Sequence, residues 1–323
     1  MATIRNRGSA LLAVLWVSAA LAAIAFSLAT TVRGETDRAS TAVDGLRAYY
    51  LAAGGIHRAT YELLWSIQNP DKRPMPRYST HIDYDFPAGA VRVDIIPEAA
   101  KLDVNGTPPE ELYRLGVALG LDPERAREIA LAIVEWRSPG SKSLDEYYLG
   151  LSPTFRPHHA SFEEIEELLL VKGISPDIYY GTYVPTDDGS GTPTLTARPG
   201  LVDCLTVFGS QDGLIDANTA APAVLAAIGL SPDVVRALVQ RRNAAPFDED
   251  KLSAFLRGLG APGNRLRVEG HSIVTMRSTA RLRLQNGQLS DLRRTVGAQV
   301  KYMPPGYDSW IHILRWYDTA WNN

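Results

Sequence analysis

Few side chains in this 323-residue sequence are arranged for chemistry. None of the six histidines lies in an HExxH motif or another metal-ligand spacing, and the adjacent pair His158-His159 falls in a loop. The sequence also lacks a nucleophile elbow, a P-loop and a dinucleotide fingerprint. Its one cysteine, Cys204, excludes an intrachain disulfide and a cysteine-based zinc site, so we expect a core residue. The sequence therefore predicts no enzyme.

Two pairs of adjacent carboxylates are the remaining candidates for binding a small ligand. Calcium takes several oxygen ligands, commonly from loops, and each pair lies among hydroxyl side chains that could add more. Neither segment has EF-hand spacing, and a helix start and a flexible Gly/Ser linker are the alternative interpretations. Calcium is thus the one cofactor left open, with Asp145, Glu146, Asp187 and Asp188 as candidate ligands.

The N-terminal segment is long enough to cross a membrane. No charged residue lies between Ser9 and Val32, and about 20 apolar residues span a bilayer core. Arg5 and Arg7 precede this run, so the positive-inside rule places the N-terminus in the cytoplasm. A cleaved secretory signal is the alternative, because Ala20-Leu21-Ala22 offers a cleavage site. The length of the run favours a retained anchor.

An apolar pattern with alternating steps of three and four residues follows, from Leu46 to Ile67. It predicts an amphipathic helix that Asn69-Pro70 ends. Either a linker near Gly34 separates this helix from the membrane segment, or both are one long helix. In the second case the first half lies in lipid and the second half packs on a sheet.

Alternating apolar residues predict the strands of that sheet. Ile82–Ile96 contains two short pieces around a Pro-Ala-Gly turn, and an Asn-Gly turn separates Ser272–Leu284 from Leu289–Tyr302. Trp310–Tyr317 is apolar on both faces, which favours a central strand. Five arginines could suggest nucleic acid, but their alternation favours the solvated face of a sheet; they are Arg277, Arg281, Arg283, Arg293 and Arg294.

A repeated helical unit occupies the middle of the chain. KLDVNGTPPEEL, from Lys101, aligns with LIDANTAAPAVL, from Leu214, and a Gly-Leu-x-Pro-acid turn and a helix follow each segment. Thr107 and Glu110 predict a capping box. Such units resemble helix-hairpin-helix modules, which bind DNA through lysine-flanked turns. These turns carry acids instead, and the net charge is −3, so we predict no nucleic-acid partner. The aligned pairs are Asp103/Asp216, Asn105/Asn218, Pro109/Pro222 and Leu112/Leu225.

Taken in order, these motifs resemble the type II secretion minor pseudopilin K family from about Arg7 to about Arg294. The matching segments are Gly8 before SALLAVLWV, AYYLAAGGIHRATYELL, KLDVN with PPEEL and AIVEW, DEYY with SFEEIEELLLVKGISPDIY, and IDANTAAPAVL. The resemblance implies an α+β fold: a long N-terminal transmembrane and amphipathic helix packed on an antiparallel pilin-like sheet, with an inserted all-α domain of helix-hairpin-helix-like repeats. The implied parts are a leader at 1–8, a membrane segment at 9–32, stalk helix and first strands at 33–101, the insertion at 102–264 and the last strands at 265–323.

The resemblance also implies a site and a location. Prepilin peptidase would cleave between Gly8 and Ser9, leaving a single-pass protein of the bacterial inner membrane with most of the chain in the periplasm. Ala13 stands where most pilins carry a glutamate that is thought to pair with a neighbouring subunit, which suits the tip of a fibre. Members can bind calcium in the insertion, but the loop after Trp136 lacks the aspartates of many members, so Asp145 and Glu146 correspond only loosely.

The function implied is non-enzymatic: nucleation of the pseudopilus, for export of folded proteins. The implied partners are I-type and J-type minor pseudopilins in a tip complex and the major pseudopilin. Two alternatives stay open at this stage. One is a minor pilin of a type IV pilus, and the other is a helix-hairpin-helix DNA-binding protein of a DNA-uptake system.

Overall fold

A computed structural model describes residues 7–75, 79–186, 194–210, 212–268, 272–304 and 306–319. The first element is a helix of 62 residues, α1 (Arg7–Gln68), which is about 93 Å long at 1.5 Å per residue. It runs without a break through Gly34. The alternative with a linker between two helices is therefore wrong, and one long helix is confirmed.

The remaining elements follow α1 in a simple order: two strands, a largely helical middle, and three more strands. The helices are α2 (Pro109–Ala118), α3 (Pro123–Arg137), α4 (Asp145–Leu149), α5 (Pro176–Tyr180), α6 (Leu201–Cys204), α7 (Pro222–Ala227), α8 (Pro232–Ala244) and α9 (Glu249–Gly258). The strands are β1 (His81–Phe86), β2 (Gly89–Pro97), β3 (Leu102–Asp103), β4 (Gly181–Thr186), β5 (Thr194–Pro199), β6 (Leu205–Thr206), β7 (Ile215–Asp216), β8 (Leu266–Arg267), β9 (Ile273–Arg283), β10 (Leu289–Tyr302) and β11 (Ile311–Tyr317).

Five of the described strands form one antiparallel sheet in the order β1-β2-β9-β10-β11. The two predicted hairpins, β1–β2 and β9–β10, are confirmed. The strand predicted to be central, β11, instead lies at the edge, so that prediction is wrong. Only its second half is partly covered, because Trp316 stacks on His57 of α1 and Arg315 pairs with Glu164 on the other side. Ile313 and Leu314 are 47% and 37% exposed, so the apolar pattern of this strand does not reflect burial between two layers.

The second half of α1 packs against this sheet through small residues. Ala48, Ala52 and Ala59 are fully buried together with Ile56. Leu46 was predicted to lie on this face but is 56% exposed, and Ile67 is 50% exposed. The predicted apolar stripe is therefore wrong at its ends. Alanines set the buried face because a helix lies close to a sheet only where its side chains are small.

The inserted region has a hydrophobic core of its own, separate from the core between α1 and the sheet. The α+β class is confirmed, but the insertion, expected to be all-α, also contains two-stranded sheets. Among the described residues these are the parallel pairs β3–β6 and β7–β8 and the hairpin β4–β5. Strands of two residues carry no periodic signal, so sequence could not reveal β3, β6, β7 and β8, whereas the six-residue strands β4 and β5 were missed. The segment SFEEIEELLL, predicted as a helix, forms only a short 3-10 helix at Ile165–Leu170.

The insertion covers part of the sheet face that α1 leaves free. Arg277 on β9 lies 3.2 Å from Asp203, and its side chain is only 16% exposed. The prediction that the arginine cluster forms a solvated face is therefore wrong at Arg277. Arg283 fits that prediction better, since its side chain is one-third exposed and pairs with Asp85 on β1. The domain boundaries given above stay a prediction.

Candidate functional site

The two repeated segments build the same hydrogen-bonded clamp. The Asn105 side chain donates to the Phe162 carbonyl (3.0 Å) and accepts from the Phe162 N–H (2.7 Å). Asn218 does the same with Phe247, at 3.0 and 2.8 Å. Because an amide both donates and accepts, one asparagine holds the two backbone groups of a distant residue. The repeat predicted from sequence is thus a repeat of structure.

Each clamp is braced by an arginine at the end of the unit's long helix. Arg242 donates to the Ala217 carbonyl (3.0 Å) and the Ala220 carbonyl (2.7 Å). Arg137 donates to the equivalent carbonyls of Val104 and Thr107. Burial lowers the pKa of both guanidinium groups, while Asp103 and Asp216 act in the opposite direction. Sequence reasoning missed these arginines, although both long helices carry Arg in the last turn.

In the turns of the first repeated unit, side chains form hydrogen bonds with backbone groups of the same unit. The Asp122 carboxylate accepts from the Glu124 N–H (2.9 Å) at the start of α3. The predicted capping box at Thr107 is wrong, because α2 begins at Pro109 and its N-cap is Pro108. The Thr107 hydroxyl instead donates to the Asp103 carbonyl (2.6 Å). The repeated residues therefore have structural roles within each unit.

The candidate calcium ligands lie in different surroundings. Asp145, in the first turn of α4, lies 2.8 Å from His159 Nε2. Glu146, the next residue of α4, is exposed. Asp187 and Asp188 fall outside the described residues. In the described ranges no three His, Cys, Asp or Glu side chains form a group that could hold a metal, whereas calcium takes six to eight oxygens. The residues described here do not fit that ion, and calcium binding stays a prediction.

The first half of α1 presents apolar side chains on all sides. Gly8 and Ser9 lie in its first turn, and Ala13 lies in the exposed part that follows. A helix that is apolar all round suits a lipid environment. From Leu11 to Val32, α1 is apolar and long enough to cross a membrane.

The second half of α1 carries an exposed apolar stripe on the side away from the sheet. We name it the outer stripe: Val43, Leu46, Tyr50, Tyr61 and Trp65, whose exposed fractions lie between 48% and 67%. Steps of three, four, eleven and four residues keep these side chains on one helix face. A polar stretch at residues 33–42 separates the outer stripe from the apolar first half, and the stripe is a candidate packing surface for other helices. The sequence analysis predicted only the apolar face that packs on the sheet and missed this second apolar face of α1.

Comparison with known proteins places the insertion in one family. A family model described as "Type II secretion system (T2SS), protein K" matches residues 99–181, and a second model of that family matches residues 215–273. The chain belongs to the type II secretion system protein K family.

The two family matches coincide with the two clamped units. Residues 99–181 run from just before β3 to the end of α5, and residues 215–273 run from β7 to the start of β9. A comparison with curated proteins gives no match. The similarity to the K family therefore lies mainly in the insertion.

A solved structure shares the whole architecture. The chain is similar to one described as the crystal structure of the GspK-GspI-GspJ complex from the enterotoxigenic Escherichia coli type 2 secretion system. The two chains are 17% identical with a TM-score of 0.56, and the match covers 88% of this chain and 100% of the other. At this identity the similarity is one of fold.

Proposed function

We propose that this K-family chain is a non-enzymatic minor pseudopilin at the tip of the type II secretion pseudopilus. There it nucleates assembly with I-type and J-type minor pseudopilins and then the major pseudopilin, for export of folded proteins. The observation that carries the proposal is the exposed apolar surface of α1, which covers all sides of the helix from Leu11 to Val32 and, beyond the polar stretch at 33–42, is present again as the outer stripe. The family membership and the K–I–J complex of the structural neighbour support it.

The outer stripe supports helix packing between subunits. Full burial of a large apolar side chain contributes about 1.5–3 kcal/mol, and the stripe contains five side chains that are about half exposed. Covering them is worth several kcal/mol before the entropic cost of association is subtracted. Partner helices lying alongside α1 would cover the stripe outside the membrane as lipid or helices cover the first half within it.

Ala13 supports a place at the tip. A carboxylate inside the membrane is costly unless it is paired, so a glutamate at this position needs a partner from a neighbouring subunit. The methyl group of Ala13 has no such need. A subunit with no neighbour above it can therefore have alanine here. The large insertion, which packs on the far side of the sheet from α1, suits the end of a fibre better than its shaft.

The proposed maturation and location follow from the same segment. Prepilin peptidase cleaves between Gly8 and Ser9, and α1 stays in the bacterial inner membrane as a single-pass anchor. Arg5 and Arg7 favour a cytoplasmic N-terminus, with the sheet and insertion in the periplasm. Intact-mass analysis of the membrane-extracted protein tests this. A mature chain beginning at Ser9 is expected, and one beginning near Ala23 would contradict it because the anchor would be lost.

Photo-cross-linking tests the packing surface. Tyr50 and Tyr61 are 65% and 67% exposed, so replacing either with benzoylphenylalanine disturbs the fold little. Tyr183 on β4, 57% exposed, is the matched control on the insertion. In cells producing all pseudopilins, we expect cross-links to the I-type and J-type subunits from the two stripe positions and none from Tyr183. Cross-links from Tyr183 alone would place the partners on the insertion and refute the helix-packing model.

A further inference from the structure

A small cavity lies where the insertion meets the sheet. Its floor is the sheet face that α1 does not cover, with Thr275, Arg277 and Gln299, and its roof is formed by α6, β6 and the 3-10 helix at Ile165–Leu170. The space open to water-sized groups is about 40 Å³. We call it the seam cavity.

Three buried oxygen atoms among the residues lining the seam cavity have no hydrogen-bond partner among the described atoms: Glu98 Oε2, Glu166 Oε2 and Gln299 Oε1. Glu166 Oε2 forms an ion pair with Arg315 at 3.6 Å, which is beyond hydrogen-bond distance. Glu98 and Gln299 are only 1% and 7% exposed. The other Glu98 oxygen, Oε1, accepts from the Thr275 hydroxyl and from Lys101 Nζ. Glu98 is therefore held in place by one oxygen, with the other left without a donor.

All three atoms are acceptors, and Glu98 Oε2 and Gln299 Oε1 have no donor among the described atoms, so the cavity needs a hydrogen-bond donor. A buried acceptor without a partner costs free energy comparable to a lost hydrogen bond, and native folds satisfy nearly all such groups with protein atoms or ordered water. We propose that the seam cavity binds a cluster of ordered water molecules. Their O–H groups donate to Glu98 Oε2, Glu166 Oε2 and Gln299 Oε1 and join the sheet to the insertion.

The size and charge of the cavity favour water over a cation. One water needs about 10–15 Å³ of such space, so the cavity of about 40 Å³ holds about three. The charged side chains lining it balance: Lys101, Arg277 and Arg315 against Glu98, Glu166 and Asp203. Three further acceptors could coordinate a cation, but an added positive charge would upset this balance. A neutral donor fits both the space and the charge.

The water cluster makes the interface between the insertion and the sheet more polar than the interface between α1 and the sheet. Ion pairs cross it at Arg277–Asp203 (3.2 Å) and Arg315–Glu164 (3.2 Å), and water fills the space beside them. Polar and hydrated contacts therefore join the insertion to the sheet, whereas apolar packing joins α1 to the opposite face. Contacts of this kind are specific in geometry and are sensitive to any change in the acceptors.

One substitution tests the cluster by the sign of its effect. Gln299→Met keeps the side-chain length and removes the acceptor. If the cavity is hydrated, this variant of the detergent-solubilised full chain loses a water-mediated bond, and its Tm falls by about 2–4 °C. Gln240→Met, at an exposed position of α8, is the control and should leave the Tm unchanged. A Tm that stays the same or rises in Gln299→Met means a dry seam and overturns the proposal.

Two further measurements identify the occupant. Crystals of the full chain should show water oxygens about 2.7–3.2 Å from at least two of the three acceptors, and an empty cavity would refute the cluster. Replacing sodium chloride by choline chloride at equal ionic strength should leave the Tm unchanged. A drop of several degrees on removing sodium would assign the site to a cation and overturn the proposal of water.

Discussion

Adjacent glycines in α1 allow a test of how closely the helix lies on the sheet. A Cβ on Gly55 would lie 2.5 Å from Val91 Cγ1 and 2.7 Å from Ser278 Oγ, whereas a Cβ on Gly54 would meet no described atom within 4 Å. Alanine at either position gains the same helix propensity, up to about 1 kcal/mol. We therefore expect Gly54→Ala to stabilise the protein and Gly55→Ala to destabilise it.

The magnitude follows from what surrounds Gly55. Val91 is 2% exposed and Ser278 is fully buried, so neither side chain can swing away, and α1 must move outward. Overpacking of this kind costs about 1–3 kcal/mol. Because the propensity gain is common to both variants, their difference in free energy of unfolding isolates the steric cost. We expect Gly55→Ala to be less stable than Gly54→Ala by about 1–3 kcal/mol.

Urea unfolding of the full chain in detergent, followed by tryptophan fluorescence, measures both variants. A second variant strengthens the test: with Val91→Ala in the background, Gly55→Ala should lose part of its penalty, because the nearest methyl group is gone while Ser278 Oγ stays 2.7 Å from the added Cβ. Equal stabilities of Gly54→Ala and Gly55→Ala would falsify the close approach of α1 to the sheet described here.

Three further predictions concern other parts of the chain. Asn218→Ala should lower the free energy of unfolding by about 2–4 kcal/mol, because it breaks two bonds to Phe247 and leaves buried backbone groups unpaired; a loss below about 0.5 kcal/mol in urea unfolding would contradict the clamp. Burial raises the pKa of the Cys204 thiol to about 12, so the unfolded chain ionises first, and this contribution to stability is lost as the pH rises from about 9 to about 12. Cys204 should therefore resist a thiol reagent at pH 8 until urea unfolds the chain, and labelling of the folded protein at the unfolded rate would refute its burial. Ala13→Glu should leave the unfolding midpoint of the sheet and insertion unchanged but reduce protein export in cells, whereas Ala13→Leu should not; unchanged export with Ala13→Glu would count against a tip role for this position.

Local sequence patterns were sufficient to predict the long helix and the long hairpin. The apolar run and the spacing after it predicted α1, and the Asn-Gly turn before Gln288 predicted the β9–β10 hairpin. Both signals lie within the segment that they describe. The edge position of β11 could not be predicted, because its apolar side chains on both faces indicated burial that Ile313 and Leu314 do not have. The groups that contact its second half, His57 and Glu164, are far away in sequence.

The clamps show the same limit at the level of single residues. Repetition identified Asn105 and Asn218, since their spacing to neighbouring residues is the same in both segments. Their partners could not be predicted, because Phe162 lies 57 residues beyond Asn105 and Phe247 lies 29 residues beyond Asn218. Because the Asn–Phe separations differ between the two units, aligning the repeats could not reveal the phenylalanine partners. Similarly, nothing near Asp145 indicated that its carboxylate faces His159.

The unequal separations of the two Asn–Phe pairs show that the length of chain inside a clamped unit can vary. The first unit encloses nearly twice as much chain as the second between identical bonds, and doubling a flexible loop costs only about 0.6 kcal/mol in closure entropy. Chain can therefore be added between the asparagine and its phenylalanine without changing the anchors. Within residues 138–161, the exposed stretch at 150–154 is then the place to graft an epitope or a fluorescent reporter, because Tyr148 belongs to the core of the insertion. Added residues in such a unit can therefore form new surface with little loss of stability in the rest of the insertion.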